Sequence, residues 1–301
     1  MFSDARAARL AALVMYAWDM CDRDLHCLSP VPDPRISAAG WEVTAYITGG
    51  DKLIRSGNGI RRKVLDVCPQ SDDRVCYGYL AKNGEGEYIV AIRGTDGAEE
   101  WLDDFDFIPR RPDRPLQGLV DGGFYGIYSS LQLNTPDGEC RPLAAGTART
   151  VATAAVTVLG HSLGAALATY LTAELAVLLP ASQVSACLFA SPKPGDGDFA
   201  SYFRHSVPRY QSFSYQNDIV PLTPPLGYSP LPDGTVLLPG MSDLTIASTP
   251  DCCHHLISYI ALLDADFYRQ LITMPDMTTD DKNCAVCVSD KHVFQKGENH
   301  V

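Results

Sequence analysis

Apolar and polar positions alternate over residues 41–48, the rhythm of a half-buried strand. Two further apolar stretches, 75–80 and 88–92, predict strands joined through Asn83-Gly84-Glu85-Gly86, whose glycines suit a hairpin connection. Residues 1–20 mix Asp4, Arg6, Arg9 and Asp19 into an apolar background and predict an amphipathic first helix, followed by a Pro-rich loop over 29–34. Residues 99–107 set Trp101, Leu102, Phe105 and Phe107 among acids and end at Pro109, which predicts a short helix with an apolar face. Helices are also expected over 122–131 and 143–150. From about residue 140 the rhythm changes. Strand-like runs at 155–159, 184–190 and 208–215 alternate with helical stretches after Ala165, around Tyr202 and Phe203, and over 256–263. That alternation predicts α/β architecture, a mostly parallel central sheet flanked by helices on both faces. Residues 274–301 lack periodicity and read as a Cys-containing surface extension to a single domain over 1–273.

Composition narrows the function classes. A chain of 301 residues with 46% hydrophobic content can bury a sizeable core. Its net charge of -12, without a Lys/Arg run, argues against nucleic acid and against electrostatic attachment to an anionic membrane. No apolar stretch is long enough to span a bilayer, and no secretory signal is visible, which fits a cytoplasmic protein or a trimmed mature secreted one. Ten cysteines suggest some disulfides. Cys284-Ala-Val-Cys287 could form half of a zinc site with Cys252, Cys253 or His292, but a lone C-x-x-C is weak and no metal is expected.

The chemistry centres on Gly160-His161-Ser162-Leu163-Gly164, entered from the strand 155–159 and followed by an Ala/Leu helix. This is the G-x-S-x-G nucleophile elbow, in which a strained turn lifts the serine oxygen above the sheet and small flanking residues let helix and strand approach. A serine hydroxyl is a weak nucleophile at neutral pH, so it needs a histidine to take its proton and an acid to orient that histidine. With this elbow the order is serine, acid, histidine. Asp218 is the leading acid because it follows the strand ending at Tyr215; Asp196 and Asp198 are alternatives. His254 or His255 supplies the base, since both lie just before an amphipathic helix, whereas His205 precedes the acid and His292 and His300 sit in the tail. His161 is expected to point into the sheet packing. The backbone N–H of Leu163, and Thr95 in Arg93-Gly94-Thr95-Asp96, are candidate oxyanion donors.

These blocks together resemble the fungal-type, class 3 lipase family over residues 10–265. The oxyanion segment 89–95, Glu100-Trp101-Leu102-Asp103-Asp104, Asp121-Gly122-Gly123-Phe124, the elbow, Ser191-Pro192-Lys193-Pro194-Gly195-Asp196 and Asn217-Asp218-Ile219-Val220-Pro221 come in the family's order. The resemblance implies an α/β-hydrolase fold, no cofactor, and a triad of Ser162, Asp218 and His254. His254 is preferred because Leu256 and Tyr259 then match the family spacing. It also implies a short helical lid over about 96–110, with Trp101, Leu102 and Phe105 facing substrate and touching a lipid interface transiently. The implied activity is ester hydrolysis on lipids. Non-lipid esters, amides and a catalytically silent binding role are the alternatives. Asp121 for the family's histidine and Lys193-Pro194 for Arg-Val are departures.

Overall fold

The computed structural model describes residues 2–23, 26–50, 74–95, 107–112, 115–274 and 286–290. The expected lid residues Trp101, Leu102 and Phe105 lie outside them, as does Cys284.

Helix α1 (Asp4–Asp22) starts on an N-cap, the Ser3 side chain accepting from the Arg6 amide. Thirteen of its 19 residues are buried, more than an amphipathic surface helix would hide, because sheet and a later helix both cover it. Helix α2 (Pro34–Ala38) leads into β1 (Trp41–Gly50), β2 (Arg74–Asn83) and β3 (Tyr88–Ile92), an antiparallel run whose β2–β3 turn is the predicted hairpin. The small ribbon β4 (Pro109–Arg110) and β5 (Val120–Asp121) precedes α3 (Gly122–Ser130), β6 (Gln132–Asn134), β7 (Cys140–Pro142) and α4 (Leu143–Val151). Then come β8 (Val156–His161), α5 (Leu163–Leu178), β9 (Val184–Phe189), α6 (Gly197–Ser206), β10 (Tyr210–Tyr215) and β11 (Thr235–Leu237). The chain continues through β12 (Leu244–Ile246), α7 (Pro250–His254), α8 (Leu256–Leu263), α9 (Ala265–Leu271) and β13 (Val288–Asp290).

Among the described residues nine strands form one sheet in the order β11-β10-β9-β8-β3-β2-β1-β6-β7. It is mixed: β3, β8, β9, β10 and β11 run parallel, while β7, β6, β1, β2 and β3 pair antiparallel. Tight turns such as 83–87 permit antiparallel pairing, whereas each parallel pair needs a crossover, and helices α5 and α6 supply two of them. One face packs against α1 and α8 through Tyr79, Phe189, Phe213 and Tyr259, and the other against α3, α4 and α5 through Val158, Leu167 and Tyr170. The parallel strands deliver their carboxyl ends to one rim, where sites on such sheets form.

Candidate active site

Ser162 is the hinge residue between β8 and α5. Its backbone sits at φ 57°, ψ −131°, a conformation that costs a non-glycine residue about 1–3 kcal/mol. The turn is held from three sides: the Ser162 amide donates to Phe189 O at 3.0 Å, and Ser162 O accepts from Ala165 and Ala166. The two motif glycines are sterically required. A Cβ on Gly164 would lie 2.4 Å from the carbonyl oxygens of Ile92 and Arg93, and one on Gly160 would lie 2.3 Å from Gly164 O. Helix α5 can therefore press its first turn onto the ends of β3 and β8.

Asp218 and His254 arrive from elsewhere in the chain. The tight turn after β10 closes through Asp218 N to Tyr215 O, and Asp218 Oδ1 accepts from the Val220 amide at 2.9 Å. Its other oxygen, Oδ2, accepts from His254 Nδ1 at 2.9 Å and from the Tyr259 hydroxyl at 2.7 Å. The far ring nitrogen, Nε2 of His254, lies 2.8 Å from Ser162 Oγ. All three side chains are buried. It is the His254 ring that bridges serine and acid, while His255 occupies the junction of α7 and α8. The alternative acid Asp196 caps α6 by accepting from Phe199 N, and Asp198 lies in that helix's first turn.

Gly94 brings the end of β3 beside the serine, so close that a Cβ there would stand 3.1 Å from Ser162 Cβ. Arg93 pins this loop, donating from Nε to Cys76 O and from Nη1 to Gly94 O at 3.0 Å. Thr95 follows, and its hydroxyl is buried without a hydrogen-bond partner among the described residues. A buried hydroxyl without a partner is costly, and this one directly follows Gly94, which lies against Ser162. Leu163 opens α5, so its N–H is one of the donors a helix start leaves without an internal partner.

His161 is buried on the α8 face of the sheet beside Tyr259, and it also has a polar partner. Its Nε2 lies 2.8 Å from the backbone oxygen of His254, and the two imidazoles stack with centroids 4.7 Å apart at 35°. Burial first, then the neighbouring His254, keep the His161 pKa well below its ordinary value, so the ring is neutral at neutral pH. Sequence reasoning also missed Arg93 as a clamp and Asp121 as a cap: Asp121 Oδ1 accepts from Phe124 N at the start of α3. Cys252 and Cys287 are joined in a disulfide and so cannot serve as zinc thiolates; Cys21 and Cys76 form a second bridge. A cavity of about 350 Å³ bordered by Lys193, Ser212, Leu222 and Val236 lies beyond the acid loop and is lined by neither Ser162 nor His254.

A serine on a strained strand-to-helix turn, on a mixed sheet flanked by helices, defines an α/β-hydrolase fold. Residues 89–228 match the family model of the class 3 lipases. Among curated relatives, phospholipase A1-II 7 of Oryza sativa subsp. indica is 34% identical over 180 residues, 50% of this chain and 44% of that protein. Phospholipase A1-II 2 of the same subspecies is 31% identical over 64% of this chain and 57% of its own length. The chain thus spans about half the length of the curated relatives it matches. Among solved structures, an MDLA variant from Penicillium cyclopium aligns at TM-score 0.52 and 20% identity, over 76% of each chain. A Rhizomucor miehei lipase–propeptide complex aligns at 0.51 and 20%, over 86% of this chain and 77% of that one. At such identities these likenesses speak for the fold alone. Among the described residues no helix is long and apolar enough to cross a membrane.

Proposed function

We propose that this protein hydrolyses carboxylic esters of lipids through a Ser162–His254–Asp218 triad, with phospholipid acyl esters the first substrates to examine. The observation that carries the reading is the continuous chain from Ser162 Oγ through the His254 ring to Asp218 Oδ2, at 2.8 and 2.9 Å. Those distances are within hydrogen-bond reach for base and nucleophile. The choice of lipid rests on the class 3 lipase segment and on relatives named phospholipase A1.

In this mechanism Asp218 fixes the tautomer in which Nδ1 carries a proton, leaving Nε2 free to accept one. Ser162 Oγ attacks the ester carbonyl as its proton passes to Nε2. The oxyanion takes hydrogen bonds from the Leu163 N–H and from Thr95. His254 then protonates the departing alcohol, which leaves Ser162 acylated. A water molecule, deprotonated by His254, attacks the acyl carbon and releases the acid and the free serine.

Wild type and Ser162→Ala should be compared on phosphatidylcholine vesicles and on emulsified triacylglycerol, with released fatty acid measured. Release that disappears with Ser162→Ala, together with labelling of the wild type by a serine-directed phosphonate, supports the reading. Undiminished release by Ser162→Ala overturns it. Hydrolysis confined to water-soluble esters removes the lipid part and leaves an esterase.

A further inference from the structure

The last residue of strand β8 and the turn residue after it both reach His254. Ser162 meets the His254 ring at Nε2, and His161 meets the His254 backbone at its carbonyl oxygen. A carbonyl can only accept, so the Nε2 atom of His161 carries the proton and donates it at 2.8 Å.

That carbonyl is in a vulnerable place. His254 is the last residue of the five-residue helix α7, and the chain then breaks direction at His255, φ −57°, ψ 134°, before α8 begins. A helix's last carbonyls lack intrahelical partners, and a helix this short has little stability of its own. Without an outside anchor the His254 backbone could turn about the α7–α8 junction, carrying its ring off the Ser162–Asp218 axis. The imidazole of His161 supplies the anchor, and its face, 4.7 Å from that of His254, also restricts the plane of the catalytic ring. The edge of Tyr259, with its ring centre 6.2 Å from that of His161, closes the other side of the group.

We propose that His161 is a positioning residue for catalysis: its Nε2–H holds the His254 main chain, so that one strand end sets nucleophile and base to a common frame. The inference rests on the triad reading above. It asks more of the elbow's second position than packing, because a group that only filled space there would act through volume and not through a donated proton.

Two variants separate donor from volume. His161→Phe keeps a ring of similar shape and deletes the donor; His161→Gln deletes the ring and keeps an amide N–H at comparable reach. Both are measured with p-nitrophenyl esters for kcat and KM, with a phosphonate probe for the rate of Ser162 labelling, and by thermal melting. The donor role predicts that His161→Phe lowers kcat and the labelling rate together by about 10- to 100-fold with KM within twofold, as small misplacements of reacting groups do. It also predicts that His161→Gln stays within about threefold of wild type. His161→Leu, smaller than the natural ring, replaces the Phe variant if that protein does not fold. A donor-free variant with wild-type kcat, or a Gln variant as slow as Phe, overturns the proposal. Ser162→Ala assayed alongside keeps the two readings apart: activity surviving there sinks the triad, whereas a dead Ser162→Ala with a fully active His161→Phe sinks only the role of His161.

Discussion

Tyr259 donates its phenol proton to the same Asp218 oxygen that accepts from His254, at 2.7 Å, while its own oxygen accepts from the Tyr215 amide at 2.9 Å. One hydroxyl thus ties the Asp218 loop after β10 to helix α8, next to helix α7, which carries His254. Burial first, and then the Asp218 charge beside it, push the Tyr259 pKa well above the ordinary phenol value, so it remains a donor throughout the working pH range. Tyr259→Phe removes this bond from a buried carboxylate and leaves the Tyr215 amide without its acceptor. Stability should fall by about 1.5–3 kcal/mol, in the range of a hydrogen bond to a charged group. Turnover should fall less than in Ser162→Ala, because His254 still bridges serine and acid. Urea unfolding and steady-state rates on one ester measure both effects; an unchanged unfolding midpoint would refute the first.

The elbow glycines give a prediction with a built-in control. Gly164→Ala would put a methyl group 2.4 Å from two backbone carbonyls of β3's end, and neither can retreat without breaking the sheet. Overpacking of a well-filled interior costs about 1–3 kcal/mol and occasionally more, and here the obstruction is main chain, so about 3 kcal/mol or more is expected. Gly84→Ala, in the β2–β3 hairpin, meets nothing within 4 Å and should change stability by less than about 0.5 kcal/mol. Equal effects at both positions, read from chemical denaturation, would contradict the close-approach argument.

The part of this site that was legible in the sequence was the part determined locally. A buried strand, three glycine and serine positions and an Ala-rich helix are contiguous, so the elbow could be read from 155 to 170 without knowing anything distant. Asp218 was legible because it follows closely on a patterned strand that ends at Tyr215. The choice between His254 and His255 was not decidable from local chemistry and leaned on the family spacing to Leu256 and Tyr259. The partner of His161 was not legible, because strand alternation assigns a side chain to a face but says nothing of a group 93 residues away. Strands of three residues, such as β6, β11 and β13, are too short to display a period at all. The mixed character of the sheet follows from the antiparallel run β7, β6, β1, β2 and β3, of which the sequence announced β1 and the β2–β3 hairpin but neither β6 nor β7.

Arg35 is buried between two carboxylates, bonding Asp33 Oδ1 from Nε at 2.9 Å and reaching Asp19 through its other end. Burial acts to raise the Asp33 pKa, but the hydrogen bonds and charge of Arg35 outweigh it and hold that pKa below the ordinary value. A carboxyl whose folded pKa is depressed stabilises the fold fully above its unfolded pKa, about 4, and loses that contribution as the pH falls through the folded value. Arg35→Ala takes this cation from both buried carboxylates and leaves Asp33 with the exposed Arg23, whose Nη2 donates to Asp33 Oδ2 at 2.5 Å; a loss of about 3 kcal/mol is expected at pH 7. The gap between wild type and variant should narrow below about pH 4. Denaturation at pH 7, 5, 4 and 3 checks both parts, and a gap that stayed constant would exclude the ionic explanation.

The C-terminal segment 286–290 is bound to α7, the element that carries His254. Cys287 is disulfide-bonded to Cys252, two residues before His254 on α7, and its carbonyl accepts from Ala247 N at 2.8 Å. Strand β13 pairs with β12, and Arg269 bridges Asp243 and Asp290 at 2.6 and 2.8 Å, so the strap is held by covalent, main-chain and ionic contacts. Because α7 has only five residues, its position depends on such outside ties more than on its own hydrogen bonds. Cys287→Ser should therefore lower stability by about 2–4 kcal/mol, the usual range for a disulfide closing a loop of this size. On the proposed triad it should also reduce kcat with little change in KM, since His254 moves relative to Ser162. A dithiol reductant would act on Cys21–Cys76 as well, so the comparison is with a Cys21→Ser/Cys76→Ser variant, where the tie lost is between α1 and β2 and lies away from His254. That variant should lose stability while keeping kcat. If both variants lost kcat to the same degree, the strap would have no special hold on His254, and the effect would belong to stability in general.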